Sequence, residues 1–233
     1  MNIDAKTLLF NGIEALRHGD SDIERLIVSR SEDIISLLDR YRKEIELFNP
    51  AYGLVGAADT EELVIKHILD SLAPLGIISR LLAETDVRDC FQLPQIADAG
   101  SGAGLPGIPL AITMPRCHFT LIERMSRRAG FLLNTKAALG LSNISVEEKE
   151  LEKIAPESFA LVMFRAFKPL EPKLLKTLFS VCAKGGIIAA YKGRREKIEQ
   201  EMAPLEKLCG CWETIPCSVP FLNEERHLLV IRK

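Results

Sequence analysis

Residues 98–107 read Asp98-Ala99-Gly100-Ser101-Gly102-Ala103-Gly104-Leu105-Pro106-Gly107, and this run constrains the fold more than any other. It follows an apolar segment, Gln95–Ala99, and opens an amphipathic one. Glycines admit backbone angles closed to other residues and let a ligand come up against the main chain. Pro106 lacks the amide that a first helical turn leaves unpaired, which suits a helix start. A strand, a glycine loop and a helix in this order make a ligand-binding corner of an open α/β sheet.

The rest of the chain after residue 90 has the matching texture. Strands are predicted at Gln95–Ala99, Cys117–Glu123, Ile144–Glu147, Ala160–Arg165, Gly186–Tyr191, Trp212–Val219 and His227–Arg232. Helices are predicted between most of them, at 106–114, 125–139, 170–182 and 194–208. Such alternation means crossover connections and a mostly parallel sheet covered on both faces. Only the short link Pro220–Arg226 separates the last two strands, so they suit an antiparallel edge. The first ninety residues read as helical. Ile34, Leu38, Tyr41, Ile45 and Phe48 form one stripe, with Ser31 as cap and Pro50 as stop. A second helix is expected from Thr60-Glu61-Glu62 to about Ala73, ended by Pro74 and Gly76, with Val64, Ile65, Ile68, Leu69 and Leu72 inward. The expected division is a helical extension over 1–90, packed on an α/β domain over 91–233.

Apolar residues make up 47% of the 233, ample for a core, and no apolar run approaches the ~18 residues of a membrane span. Asp4 and Lys6 precede any apolar stretch, so no secretory leader is expected. The net charge of −2 disfavours a globally basic nucleic-acid binder but not a local basic patch. The six cysteines show no CxxC and no histidine at zinc-finger spacing; they read as reduced packing residues, and no metal is expected.

Two cofactors suit the glycine loop. Gly102, Gly104 and Gly107 match GxGxxG, with Glu123 about twenty residues on, the dinucleotide pattern. Asp98-x-Gly100-x-Gly102-x-Gly104 instead resembles motif I of the class I S-adenosylmethionine-dependent methyltransferases. Charge favours the second. A carboxylate at the strand end attracts an ammonium and sulfonium and repels a pyrophosphate. Glu123 suits the ribose hydroxyls of either.

Five segments, the extended glycine run among them, sharpen the resemblance: His67-Ile68-Leu69-Asp70-Ser71-Leu72, Asp98 through Pro109, Arg165-Ala166-Phe167, Lys192-Gly193, and Glu225-Arg226-His227-Leu228-Leu229-Val230-Ile231. In this order and spacing, over roughly residues 30–233, the chain resembles the bacterial small-subunit ribosomal RNA methyltransferase G family, also called glucose-inhibited division protein B. The resemblance implies a Rossmann-like, seven-stranded mostly parallel sheet and S-adenosylmethionine as cofactor. It also implies methyl transfer to N7 of a guanine in the 530 loop of 16S rRNA. The partner would be that rRNA in the small ribosomal subunit or an assembly intermediate, in the cytoplasm, with neither membrane nor DNA. By matching position, cofactor contacts fall on Gly100, Leu105, Leu151, Glu152 and Arg165; the residue reading adds Asp98, Gly102 and Glu123. The ribose acid is Glu123 where the family has aspartate.

Guanine N7 carries a lone pair and no proton, so its methylation needs placement and charge tolerance rather than a general base. The Asn/Asp-Pro-Pro-aromatic motif of amine methylation is absent; Phe164-Arg165-Ala166-Phe167 stands there. Pro216-Cys217 lies on a late strand, unsuited to a nucleophile. Arg165 is expected at the cleft rim, holding a carboxylate, a phosphate or guanine O6, or else paired with an acid. Lys192, His67 and Asp70 are further candidates for positioning the substrate; His67, Asp70 and Ser71 share a helical face, where a structural role, hydrogen-bonding a loop against the sheet, is the favoured reading. Arg124, Arg127, Arg128 and the run Lys192-Gly193-Arg194-Arg195-Glu196-Lys197 are candidate contacts to an RNA backbone. Methylation of another RNA or a protein, non-catalytic ribosome binding with a vestigial pocket, and a dehydrogenase stand as rivals.

Overall fold

The computed structural model describes residues 4–85, 93–166 and 169–233; Cys90, Phe167 and the expected domain boundary lie outside them. The strands are β1 (Gln95–Ala99), β2 (His118–Ile122), β3 (Ile144–Glu147), β4 (Phe159–Arg165), β5 (Cys182–Lys192), β6 (Trp212–Pro216) and β7 (His227–Arg232). They form one sheet in the order β3-β2-β1-β4-β5-β7-β6. The first five run parallel, and β7 pairs antiparallel with both β5 and β6. Every predicted strand is present, with differences only at ends. Cys117 and Glu123 flank β2, β5 begins at Cys182 and not Gly186, and β6 stops at Pro216 rather than Val219.

Alternate residues of β4 serve opposite faces, as the period of two requires. Leu161 and Met163 join one buried cluster, Val162 and Phe164 the other. Strand order reverses between β1 and β4, so a crevice opens beyond their carboxyl ends.

Ahead of the sheet in sequence come α1 (Ala5–Gly19), α2 (Ser21–Ile27), α3 (Ser31–Tyr52), α4 (60–72) and α5 (Leu75–Glu84). The apolar stripe of α3, Ile34, Leu38, Tyr41 and Ile45, shares one cluster with Ile96 of β1 and Phe119 of β2. Buried Tyr41 donates its hydroxyl to the Ala103 carbonyl at 2.7 Å, tying α3 to the glycine loop.

Several expected boundaries are corrected here. Ser31 is no cap: the 3-10 turn Val28–Arg30 runs straight into α3, leaving no free helix start to cap. Pro50 does not stop α3, which continues to Tyr52 and ends where Gly53 takes φ 57° and donates to the Asn49 carbonyl. Near a helix end a missing amide costs one bond, and the left-handed glycine is the stronger terminator. The cap of α4 is Asp59, whose carboxylate accepts from the Glu62 amide at 2.8 Å, and not Thr60. Pro74 ends α4 but launches α5 at once. Gly76 then lies within α5, where a Cβ would come 2.4 Å from Asp20 Oδ2. The crossovers are α6 (Gly107–Thr113), α7 (Ser126–Leu139) and α8 (Pro172–Val181); α9 (Arg195–Met202) gives way to a 3-10 turn containing Pro204.

Candidate active site

The glycine loop is held open from two sides. Gly100, Gly102 and Gly104 have φ of 71°, 58° and 88°, where L side chains are strained. From below, the amides of Gly100 and Ser101 both donate to the Ile122 carbonyl, at 2.9 and 3.1 Å. From the side, Glu123 accepts from the Gly102 amide through Oε2 at 3.0 Å and from the Met125 amide through Oε1 at 2.8 Å. One carboxylate thus fixes the loops after β1 and β2 and keeps lone pairs for a diol.

Beside it lies a cleft of about 640 Å3, lined by Gly100, Ile122, Glu123, Met125, Leu151 and Glu152. Ile122 and Leu151 offer an apolar wall to a planar ring. Arg124, Arg127 and Lys173 stand at the rim, exposed and without side-chain partners among the described residues.

A second cavity, about 620 Å3, adjoins the first and shares Ala166 with it. Its polar wall is an ion cluster. Asp70, on α4, accepts from Arg165 Nη1 at 2.8 Å through one oxygen and from Arg226 Nε at 3.0 Å through the other. Across α4, residues Val64–Leu69 form a π turn, and Arg165 Nη1 also reaches the carbonyls of Lys66 and His67 at 3.3 and 3.4 Å. Arg165 Nη2 donates to His67 Nδ1 at 3.0 Å. Lys192 pairs with Glu201 at 2.6 Å and lies over the Phe164 ring, 5.7 Å from its centroid.

The family model for rRNA small subunit methyltransferase G matches residues 34–229. The chain belongs to that family. A relative named ribosomal RNA small subunit methyltransferase G from Treponema denticola is 36% identical, covering 98% of this chain and 97% of its own. Another, from Cellvibrio japonicus, is also 36% identical over 82% of this chain and 83% of its own. Among solved structures, a putative S-adenosylmethionine-dependent methyltransferase from Methanococcus maripaludis aligns with TM-score 0.54 at 13% identity, covering 82% of this chain and 91% of its own. The tRNA (m1A58) methyltransferase of Aquifex aeolicus aligns at 0.52 and 14%, covering 71% and 68%. These identities speak for the fold alone, which is the class I methyltransferase fold.

As a member of the rRNA small subunit methyltransferase G family the protein is an S-adenosylmethionine-dependent methyltransferase, and the cleft fits that cofactor. A Cβ on Gly102 would meet only the Gly100 carbonyl, at 3.9 Å, so the space over the loop is free. Glu123 suits the ribose and Leu151 the adenine; Glu152 lines the same wall.

Not every expected cofactor residue reaches the cleft. Gly100, Glu123, Leu151 and Glu152 line it, and Gly102 abuts it through Glu123. Leu105 packs into the core cluster under the loop. Arg165 turns into the second cavity, where the acid it pairs with is Asp70. Asp98 is fully buried: Oδ2 accepts from the Gly107 amide at 3.0 Å, and Oδ1 has no partner among the described residues. Its first effect is therefore to hold the start of α6. In the second basic run Lys192 and Arg195 are already paired with Glu201 and Glu199. Arg226 and Glu201 were missed as site residues. The pairing of Lys192 with His227 across β5 and β7 is the signal that places Arg226 beside Lys192.

Burial pushes the Asp98 carboxyl up to about 6 from the ordinary 3.8, against the hydrogen bond from the Gly107 amide and the charge of Arg165. The folded state then binds a proton more readily than the unfolded chain, so this group's contribution is full below about pH 4 and is lost as pH rises through 6. In Asp98→Asn that loss should vanish. The stability of the variant relative to the wild type should rise by about 2 kcal/mol between about pH 4.5 and 7, measured by urea unfolding. A pH-independent difference would refute the placement of the titration at Asp98.

Proposed function

We propose that this chain transfers a methyl group from S-adenosylmethionine to N7 of a guanine in the 530 loop of 16S rRNA, in the cytoplasm, on the small ribosomal subunit or an assembly intermediate. The observation that carries this reading is the state of the acids beside the cofactor cleft. Asp70 is held by two guanidiniums and Glu201 by Lys192, so the acceptor cavity presents no free carboxylate base among the described residues. A nucleophile that carries a lone pair and no proton suits such a site. The bound cofactor supplies an electrophilic methyl group. What the chain adds is orientation and a field. Glu123 and Leu151 fix one ligand, while Arg165, Lys192, His67 and Asp70 frame the place for the other. The unpaired rim of Arg124, Arg127 and Lys173 suits a phosphate backbone. The names of the relatives support small-subunit rRNA as the substrate.

The test uses labelled S-adenosylmethionine and small subunits from a strain lacking the activity, with the rRNA digested to nucleosides and resolved by mass spectrometry. Label in 7-methylguanosine is the expected result. Label in another nucleoside, or none in RNA despite cofactor binding, would overturn the acceptor.

A further inference from the structure

Arg165 and His67 define a proton position that no pattern in the sequence reveals. A guanidinium only donates hydrogen bonds. The 3.0 Å contact from Arg165 Nη2 to His67 Nδ1 therefore requires a lone pair on Nδ1. Burial, with the Arg165 charge beside it, brings the imidazole down to about 4, so the ring is neutral near pH 7. Its single proton must then sit on Nε2. That nitrogen has no hydrogen-bond partner among the described residues, and His67 lines the second cavity.

The lock is strong because Arg165 is itself clamped. Asp70 Oδ2 and the carbonyls of Lys66 and His67 all accept from Nη1, leaving the guanidinium little freedom to turn away. Switching the tautomer would set an N–H against an N–H. His67 is thus a fixed donor, not the ambivalent group a free histidine is.

The cavity has a size suited to a small planar ligand, and it meets the cofactor cleft at Ala166, whose φ of 49° turns the backbone between them. A purine seated there presents at C6 either an oxygen, which accepts, or an amino group, which donates. We propose that His67 is the specificity-determining residue of the acceptor site: its Nε2–H reads the 6-oxo group of guanine and rejects the 6-amino group of adenine. This deepens the acceptor reading above and rests on it. A buried donor left facing a donor is a costly mismatch, which is how a fixed polar group discriminates.

The test compares small subunits reconstituted with guanosine or 2-aminopurine riboside, which lacks the 6-oxo group, at the methylated position. Wild type, His67→Leu and His67→Gln are assayed on both for methyl transfer and for subunit affinity. Affinity for S-adenosylhomocysteine and melting temperature report an intact cofactor cleft. The wild type should prefer guanine roughly 10–100-fold. His67→Leu should lose most of that preference with its cofactor affinity unchanged, and His67→Gln, which keeps a donor, should retain part of it. Intrinsic reactivity differs between the two bases but is common to all enzymes, so it drops out of the ratio of ratios. His67→Leu with a full guanine preference would overturn the inference. So would a wild type indifferent to the 6-oxo group, an outcome that needs no folded variant. If the wild type forms no 7-methylguanosine at all, the acceptor reading falls first and takes this inference with it.

Discussion

Asp70→Ala should lose about 3 kcal/mol of folding stability, because two cations then face each other across a partly buried gap. Asp70 is 5% exposed and divides its two oxygens between Arg165 and Arg226. Removing one partner from a buried ion cluster leaves uncompensated charge, and that penalty exceeds the net worth of the pair. Arg226 retains Glu224 at 3.0 Å and some solvent, which places the cost at the lower end of the usual range. For a chain of this size the melting temperature should fall by about 6 °C. Asp70→Asn should fall between, since its amide nitrogen turns an N–H toward one of the guanidiniums. A second change, Arg226→Leu, should recover part of the loss in Asp70→Ala by removing one of the stranded charges. Chemical unfolding of the four proteins decides the matter. Asp70→Ala within about 1 kcal/mol of the wild type would show that solvent, rather than Asp70, balances these arginines.

The contrast between what local pattern reveals and what it hides runs through this same cluster. Strands β1, β2, β4 and β5 announce themselves because their central residues are mostly apolar and buried on both faces, whereas edge strand β3, Ile144-Ser145-Val146-Glu147, buries only Ile144. The glycine loop is equally legible, since left-handed backbone at Gly100, Gly102 and Gly104 leaves few alternatives to glycine. Helix ends are less so: Pro50 reads as a stop although the left-handed Gly53 is what ends α3, and Ser31 reads as a cap because the preceding 3-10 turn has no sequence signature. Least visible were pairings across the chain. Arg165 and Asp70 are 95 positions apart and Arg226 and Asp70 are 156, and no period links them. The same holds for Asp98. A strand-end acid looks available to a ligand until the packing of Gly107 against it is known; a Cβ there would come 2.7 Å from Asp98 Oδ2 and 2.4 Å from Leu121.

Glu123 combines both kinds of information, and its replacement should have the largest effect on cofactor affinity. Glu123→Gln should weaken S-adenosylhomocysteine binding roughly 100-fold or more, measured by titration calorimetry. An amide is a poor stand-in here because both backbone partners donate: the amides of Gly102 and Met125 need two accepting oxygens, and glutamine offers one. Its nitrogen would oppose one of those amides and release either the glycine loop or the loop after β2. One of the two acceptors proposed for the ribose hydroxyls is lost as well. Glu123→Asp keeps both oxygens on a shorter arm and should recover more affinity than Glu123→Gln does. The wild type should bind the 2′-deoxy form of S-adenosylhomocysteine more weakly than the parent, whereas Glu123→Gln should scarcely distinguish them, because the group that reads the hydroxyl is gone. If Glu123→Gln binds within about threefold of the wild type, or still discriminates the deoxy ligand, the ribose is held elsewhere and the two amide bonds are only loop structure.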